Sequence, residues 1–539
     1  MIAMAKLCRT VLYAVSLCAI VSAGSARAQG PQKPPGTPTI KVTSVLVFLD
    51  VTVLDKKGHP VVSGLTKDDF TITEDKQPQS IFSFEAPETH VMDRDSEEEN
   101  PNGKAPATIL VLDLLNSSFE DFAYIRYEVK QFLMAQPPRL SSPTELMVIG
   151  DESLELLQSY TRSKTEILDA LDHLPPALPY KKMNGAFFWE RFAQSLDALQ
   201  QIALQNKGVP GRKNIIWVGH GGPHVYLDPL RVRYAEKLVD ELKQYVHSTT
   251  NMLVDARISL FVIYPGLPVR GNVMSFSASE AGVDIGDDDP FAGDVNFGVF
   301  VNETGGKLFY NRNDIDREIV GSERMGGEYY TLTYQSQIAE PDGKFRRIRV
   351  TLSNPNLRAV TKAGYYAPDA NAPIDLRQQK MENLTEAVQS TIPFHALDVS
   401  LTNVVQHPDT ETAEFTVQVN SKNLVFEPAD ERGSAATLIL AAASLDQYRN
   451  MLASRTETLT VPSNSSDPST LPPVTSSLQL VIRVPHKTRS VRVVLENEDG
   501  GRMGSAEVDC KTIDAAPVKE TPRPQLQRRP TGDTQVADP

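Results

Sequence analysis

Residues 107–114 (ATILVLDL) are a near-continuous apolar run, the mark of a strand covered on both faces. Comparable runs recur at 146–150 (LMVIG), 214–218 (NIIWV) and 258–264 (ISLFVIY), with a shorter one from Gly305 to Tyr310. Between them the apolar positions take helical spacing. Helices are predicted from Phe119 to Ala135, from Ser163 to Leu174, from Phe187 to Gln205, from Arg231 to Ala256 and from Asp314 to about Gly321. Ser163 stands as an N-cap with Glu166 at capping-box distance, and Gly208 with Pro210-Gly211 ends the third helix. Strand and helix in alternation predict βα units wound into a mostly parallel sheet, a Rossmann-like α/β domain over residues 105–325.

On either side the period falls to two. Ile40 to Leu54, Phe70 to Glu74 and Ile81 to Glu85 read as strands of an N-terminal β module at 40–90, and the polar stretch Val91 to Lys104 reads as an exposed loop. Tyr329 to Gln335 and Arg346 to Leu352 flank Pro341-Asp342-Gly343, which predicts a β hairpin at 326–368. After a linker at 368–375, six short strands between 390 and 510, with no long helix among them, predict a C-terminal antiparallel β-sandwich.

The ends carry different signals. Lys6 and Arg9 precede an apolar run, Val11 to Val21, that is too short to span a bilayer, and Ala26-Arg27-Ala28 follows. Residues 1–28 therefore read as a signal peptide, in preference to a membrane anchor, with cleavage before Gln29. Lipidation at Cys18 fits less well, because Leu17 stands where a small residue is needed. The mature chain is expected to be periplasmic or extracellular, with no transmembrane span. It keeps Cys510 and loses Cys8 and Cys18, so it has no internal disulfide. Residues 29–39 read as a flexible linker and 511–539 as a disordered, Pro-rich tail.

Across 539 residues, 68 acidic side chains outnumber 54 basic ones, for a net charge of −14. That balance excludes nucleic acid as the main partner. No phosphate-binding lysine loop, dinucleotide glycine fingerprint, zinc-protease pair or nucleophile elbow is present, so Gly219-His220-Gly221-Gly222 has no serine to serve as an oxyanion hole. His220 and His224 straddle Gly221-Gly222-Pro223 and do not share a helical face, which argues against zinc. Asp284, Asp287, Asp288 and Asp289 lack the alternation of a calcium loop and read as a solvated acidic loop.

Five stretches occur in a telling order. They are Val51-Thr52-Val53 with residues 58–61 (GHPV) and 64–70 (GLTKDDF); 109–118 (ILVLDLLNSS); 209–217 (VPGRKNIIW); Thr304-Gly305-Gly306; and Tyr329-Tyr330 with 343–348 (GKFRRI) and 364–368 (GYYAP). Over residues 40–370 this set resembles a bacterial, acidobacterial-type family of von Willebrand factor type A (VWA)-related proteins. The resemblance implies a VWA-type α/β domain inserted into one β module, and a binding role instead of catalysis. It also implies an Mg²⁺ or Mn²⁺ site at the C-terminal end of the sheet. Asp113 and Ser117 match that pattern, Leu115 replaces its middle serine, and residues 218–222 lack its carboxylate, Asp228 being the nearest. The implied site is thus a degenerate one at Asp113 and Ser117. The implied binding loop is Asn116, Gly219, His220, Gly221 and Gly222, facing an unknown protein or peptide ligand in interaction or adhesion. An exported hydrolase with an unrecognised site and a structural cell-envelope component stay open as alternatives.

Overall fold

The computed structural model describes residues 46–93, 96, 98–99, 101, 103–151, 153–174, 187–227, 236–265, 289–291, 294–336, 342–369, 376–428, 433–463, 473–512 and 514–515. The signal peptide, the 29–39 linker and nearly all of the 511–539 tail lie outside the described residues, as do Asp228, Asp284, Asp287 and Asp288. Among the described residues no helix is long and apolar enough to cross a membrane.

In chain order the strands begin with β1 (Leu46–Leu54), β2 (Phe70–Glu74), β3 (Gln77–Gln79) and β4 (Ile81–Glu85). The middle of the chain supplies β5 (Ala107–Asp113), α1 (Phe119–Ala135), β6 (Arg139–Ile149), β7 (Leu154–Ser163), α2 (Lys164–Asp172), α3 (Phe188–Gln205), β8 (Lys213–Val218) and β9 (Val225–Tyr226). It continues with α4 (Glu236–Asp255), β10 (Ile258–Pro265), β11 (Asp294–Val295), α5 (Phe297–Glu303), β12 (Leu308–Arg312) and α6 (Ile315–Gly327). Next come β13 (Tyr330–Gln335), β14 (Phe345–Leu352), β15 (Arg358–Val360), β16 (Gly364–Tyr366) and α7 (Leu376–Gln389). The last third holds β17 (Val399–His407), β18 (Thr412–Asn420), β19 (Glu427–Pro428), β20 (Ser434–Leu445), β21 (Met451–Ser463), β22 (Thr475–Arg483), β23 (Ser490–Asn497), β24 (Met503–Asp509) and β25 (Asp514–Ala515).

The central sheet runs β12-β10-β8-β5-β6-β7, parallel except for β7 at the edge. Strand alternation sorts its side chains between two cores. Ile109, Val111, Ile215, Trp217, Leu260 and Val262 pack under α3, α4 and α5. Leu110, Leu112, Ile216, Val218, Phe261 and Ile263 pack under α1, α2 and α6. Ser118 caps α1, its Oγ accepting from the Asp121 amide at 3.1 Å, and Ser163 caps α2 as its position predicts.

The flanking segments depart from expectation in two respects. β13 and β14 do not form a hairpin. β13 lies between β1 and β4 in one sheet, and β14 lies between β2 and β16 in another. The two sheets close on Val51, Phe70, Ile72, Tyr330, Leu332, Tyr334 and Ile348, so β13 and β14 bury their apolar side chains in one core between the sheets while pairing with strands far away in sequence. The 91–104 stretch is also less open than expected. The Arg162 guanidinium on β7 is held by the carbonyls of Asp93 and Ser96, each at 3.1 Å, which pins that stretch to the edge of the sheet.

The last third forms two sheets, β22-β18-β17-β25 and β19-β20-β23-β24 with β21 on β20, antiparallel apart from β17 with β25. They enclose Phe415, Val417, Leu438, Leu440, Leu480 and Val493. Helix α7, which the sequence pattern does not predict, covers the outer face of β20 and β23 through Leu384, Ala387 and Val388.

Candidate functional site

The chain leaves β5 for α1 on one face of the central sheet and leaves β8 for α4 on the other, and β5 and β8 are adjacent. The C-terminal ends of these two strands are therefore the topological switch point, where open α/β sheets offer a crevice. Asp113 ends β5 at this point and is fully buried.

Its carboxylate is saturated by N–H donors. Oδ1 accepts from the Asn116 backbone at 2.9 Å and from the Asn116 side-chain amide at 3.2 Å. Oδ2 accepts from the Gly221 backbone at 2.7 Å and from the Trp217 indole at 3.0 Å. Burial pushes the Asp113 carboxyl up, while the donors on Trp217 and Asn116 and the nearby His220 oppose that rise. The Asn116 amide reaches on to Ser195 Oγ on α3 at 3.1 Å, and Ser195 donates to the Arg191 carbonyl.

The glycines of the loop are required by this arrangement. Gly219 has φ +145°, and a Cβ there would stand 2.3 Å from the Asp113 Cβ. Gly221 has φ +66°, and a Cβ there would stand 2.7 Å from the Phe297 ring. The loop is drawn inward onto Asp113 and Phe297, and only His220 projects a substantial side chain outward.

Residues 113–117 do not fit a divalent ion. The donors on Asp113 occupy the directions a cation needs, and the indole N–H would oppose one. Leu115 is fully buried in the core. Ser117 Oγ and Asn116 Oδ1 are buried without a hydrogen-bond partner, but two neutral oxygens do not supply the oxygen shell of Mg²⁺. Among the described residues no group of three His, Cys, Asp or Glu is placed to hold a metal. Of the expected binding loop, Asn116, Gly219 and Gly221 are buried, a correction that follows from the inward pull of Asp113.

His220 is the accessible member, with its side chain 38% exposed. Its Nε2 stands 3.5 Å from Asp121 Oδ2. Burial raises the Asp121 carboxyl, but hydrogen bonds from His220 and Ser118 outweigh it and hold the group below the usual carboxylate range. The His220 ring meets Tyr264 edge-on at 5.7 Å, and Tyr264 stands 5.4 Å from Tyr310. His224 packs on Tyr226 at 4.1 Å. Phe119, Tyr226 and Tyr310 are 52%, 50% and 37% exposed. All belong to segments at the C-terminal ends of the parallel strands. Sequence reasoning misses Trp217, Ser195, Asp121 and Tyr264. A tryptophan closing a buried strand is itself a signal, because its N–H needs an acceptor.

Two other sequence features prove structural. In residues 209–217 the buried Arg212 donates to Thr52 Oγ1 at 3.0 Å and to Ser259 Oγ at 3.1 Å, fastening the α/β domain to the β module. The neighbouring Lys213 donates to the carbonyls of Val209 and Gly211, and burial holds it down to about 7. Asp289, expected in a solvated loop, is half-buried: it accepts from the Tyr366 hydroxyl at 2.9 Å and faces His247 at 3.4 Å and Lys243 at 3.7 Å.

No protein-family model matches the chain, and no curated protein matches it either. Solved structures that it resembles include VWA domains. The manganese-loaded TRAP protein of Plasmodium vivax is 12% identical with a TM-score of 0.25, over 49% of this chain and 95% of that one. The SpRpn10 VWA domain is 16% identical with a TM-score of 0.16, over 30% of this chain and 89% of that one. Proximal thread matrix protein 1 from the mussel byssus is 12% identical with a TM-score of 0.20, and the match spans 30% of this chain and 38% of the mussel chain. At these identities and scores the neighbours say nothing about what this chain binds.

Proposed function

We propose that the chain is an exported VWA-like binding protein of the acidobacterial-type family. Its C-terminal sheet edge engages a protein or peptide, and it does so without a resident metal. The observation that carries this reading is the Asp113 lock. The crevice at the switch point is closed by the chain's own Trp217, Asn116 and Gly221, leaving a stiff rim that presents His220 beside exposed Phe119, Tyr226 and Tyr310. Exposed aromatics on a rigid support are among the side chains that anchor interfaces. The test is a photo-crosslinking residue placed in turn at Tyr226, Tyr310 and Phe82 of the exported protein. Adducts confined to the first two positions, and lost on His220→Ala, support the reading. Equal labelling from Phe82, an exposed side chain on the separate β module, would sink it.

The Asp121–His220 pair is the one feature favouring an exported hydrolase. A hydrolase also needs a nucleophile, and among the described residues no serine or cysteine is hydrogen-bonded to His220. Turnover on an ester or peptide panel that vanishes in both His220→Ala and Asp121→Asn would favour that reading over binding.

A further inference from the structure

β21 is a 13-residue strand that pairs with β20 along one side, and among the described residues no strand pairs with its other side. Every position along it is exposed or half-buried. A long open edge of this kind is a template for another strand unless it is guarded. The guards lie at its two ends, an extra residue at Leu452 near the start and Pro462 near the finish, and leave the middle open. The two charges, Arg455 and Glu457, pair with each other along the strand, and Arg455 also reaches the Val481 carbonyl on β22 at 2.7 Å.

The order of residues makes this edge complementary to itself. We infer that β21 joins a second copy of the chain, the two strands running antiparallel about a two-fold axis through Thr456. In that register Arg455 lies opposite Glu457 of the other copy, and Glu457 lies opposite its Arg455. Ala453 meets Leu459, apolar facing apolar, and the regular window ends there because β21 carries an extra residue at Leu452 against β20. Between them Ser454 meets Thr458, and Thr456 meets itself. Side chains directly opposite in an antiparallel pair have Cβ atoms about 4.5–5.5 Å apart, close enough for each of these pairs to count. Pro462, which has no N–H to give, falls just beyond the paired window. A one-residue slip would turn the inner face of one strand against the outer face of the other and would lose both charge pairs. The two intrastrand ion pairs of two free chains are exchanged for two cross-strand pairs, which fix the register, and the isologous contact closes on itself as a dimer.

Analytical ultracentrifugation of the full chain with charge-swapped variants tests this. The wild type is expected to dimerise. Arg455→Glu and Glu457→Arg each place like charges opposite one another twice and should raise the dissociation constant about tenfold or more. The double variant restores both pairs and should recover the wild-type constant. Glu457→Arg leaves Arg455 free to hold Val481, which separates pairing from local folding. Thr456→Cys should form a disulfide between copies that mass spectrometry assigns to position 456 on both strands, whereas Leu452→Cys should not. A monomeric wild type, a dimer indifferent to the charge swap, or a Thr456→Cys variant that yields no peptide cross-linked through position 456 of both copies would each overturn the inference.

Discussion

Replacing Asp113 with alanine separates a lock from a metal seat. The substitution strands the Gly221 N–H, the Trp217 indole N–H and the Asn116 N–H in a buried site, all three of which now donate to one carboxylate. Each orphaned donor costs about 1–3 kcal/mol, and removal of a buried carboxyl offsets part of the sum, leaving a net loss of about 3–5 kcal/mol. Asp113→Asn keeps one carbonyl oxygen but aims an NH₂ at neighbouring donors, so it should lose about 2–3 kcal/mol. The loss is local before it is global, and hydrogen exchange is the suitable assay in a chain with several cores. Exchange should quicken at residues 213–222 in Asp113→Ala while β23 and β24 stay unchanged. The chain has only two tryptophans, Trp189 and Trp217, so a red shift in emission also reports the site. A metal seat makes the opposite forecast. An ion at 100 times its dissociation constant adds about 2.7 kcal/mol. A wild type strongly stabilised by Mg²⁺ or Mn²⁺, with an Asp113→Ala variant that loses that response yet keeps its ion-free stability, would refute the lock.

Gly219→Ala puts a Cβ against Asp113 at a φ that L residues rarely adopt, so it should destabilise the loop by about 2–4 kcal/mol and quicken exchange at Gly221. Burial raises Glu145 to about 8, with Tyr160 and Gln205 beside it offering only partial relief. Its folded-state value lies above the unfolded one, so stability present below pH 4.5 is lost as pH climbs through about 8; Glu145→Gln should flatten that decline, on the order of 5 kcal/mol, in urea titrations across pH. Asp289 moves the other way: burial raises it, but hydrogen bonding and charge from His247 outweigh that and hold it at about 2. Its contact with His247 should persist above pH 4 and fail as pH drops toward 2, which the His247 ring resonances would follow, and Asp289→Asn should abolish the transition.

The central sheet was legible because its strands are covered on both faces. Burial on both sides demands apolar residues without alternation, and β5, β8 and β10 announce themselves that way. The failures lie where the partner decides. β7, LELLQSYTRS, is an edge strand with mixed exposure, so neither period stands out. Helix α7, LRQQKMENLTEAVQ, buries a narrow stripe on the sandwich, too few apolar positions to read in advance. The turn at Pro341-Asp342-Gly343 was a sound signal for a reversal of the chain. It could not say that Tyr330 would pair with Val51 and Ile348 with Glu74, both more than 270 residues away in sequence.

The site divides in the same manner. The resemblance to VWA-related proteins pointed to Asp113 and the 219–222 loop, because its motif falls on the ends of two apolar runs. What it left open was the direction in which the carboxylate spends its lone pairs, and that is set across the sheet. β8 lies beside β5 in a register that pairs Trp217 with Val111, which brings the indole N–H to the level of Asp113. The glycine loop, free of side chains, then folds back so that the Gly221 amide takes the same oxygen. A strand-end aspartate can therefore serve either as an ion ligand or as a tether, and the donors on the neighbouring strand and loop choose between them. With a tryptophan at position 217 and no carboxylate from 218 to 222, the donors outnumber the ligands, and Asp113 ties the loop to the strand ends.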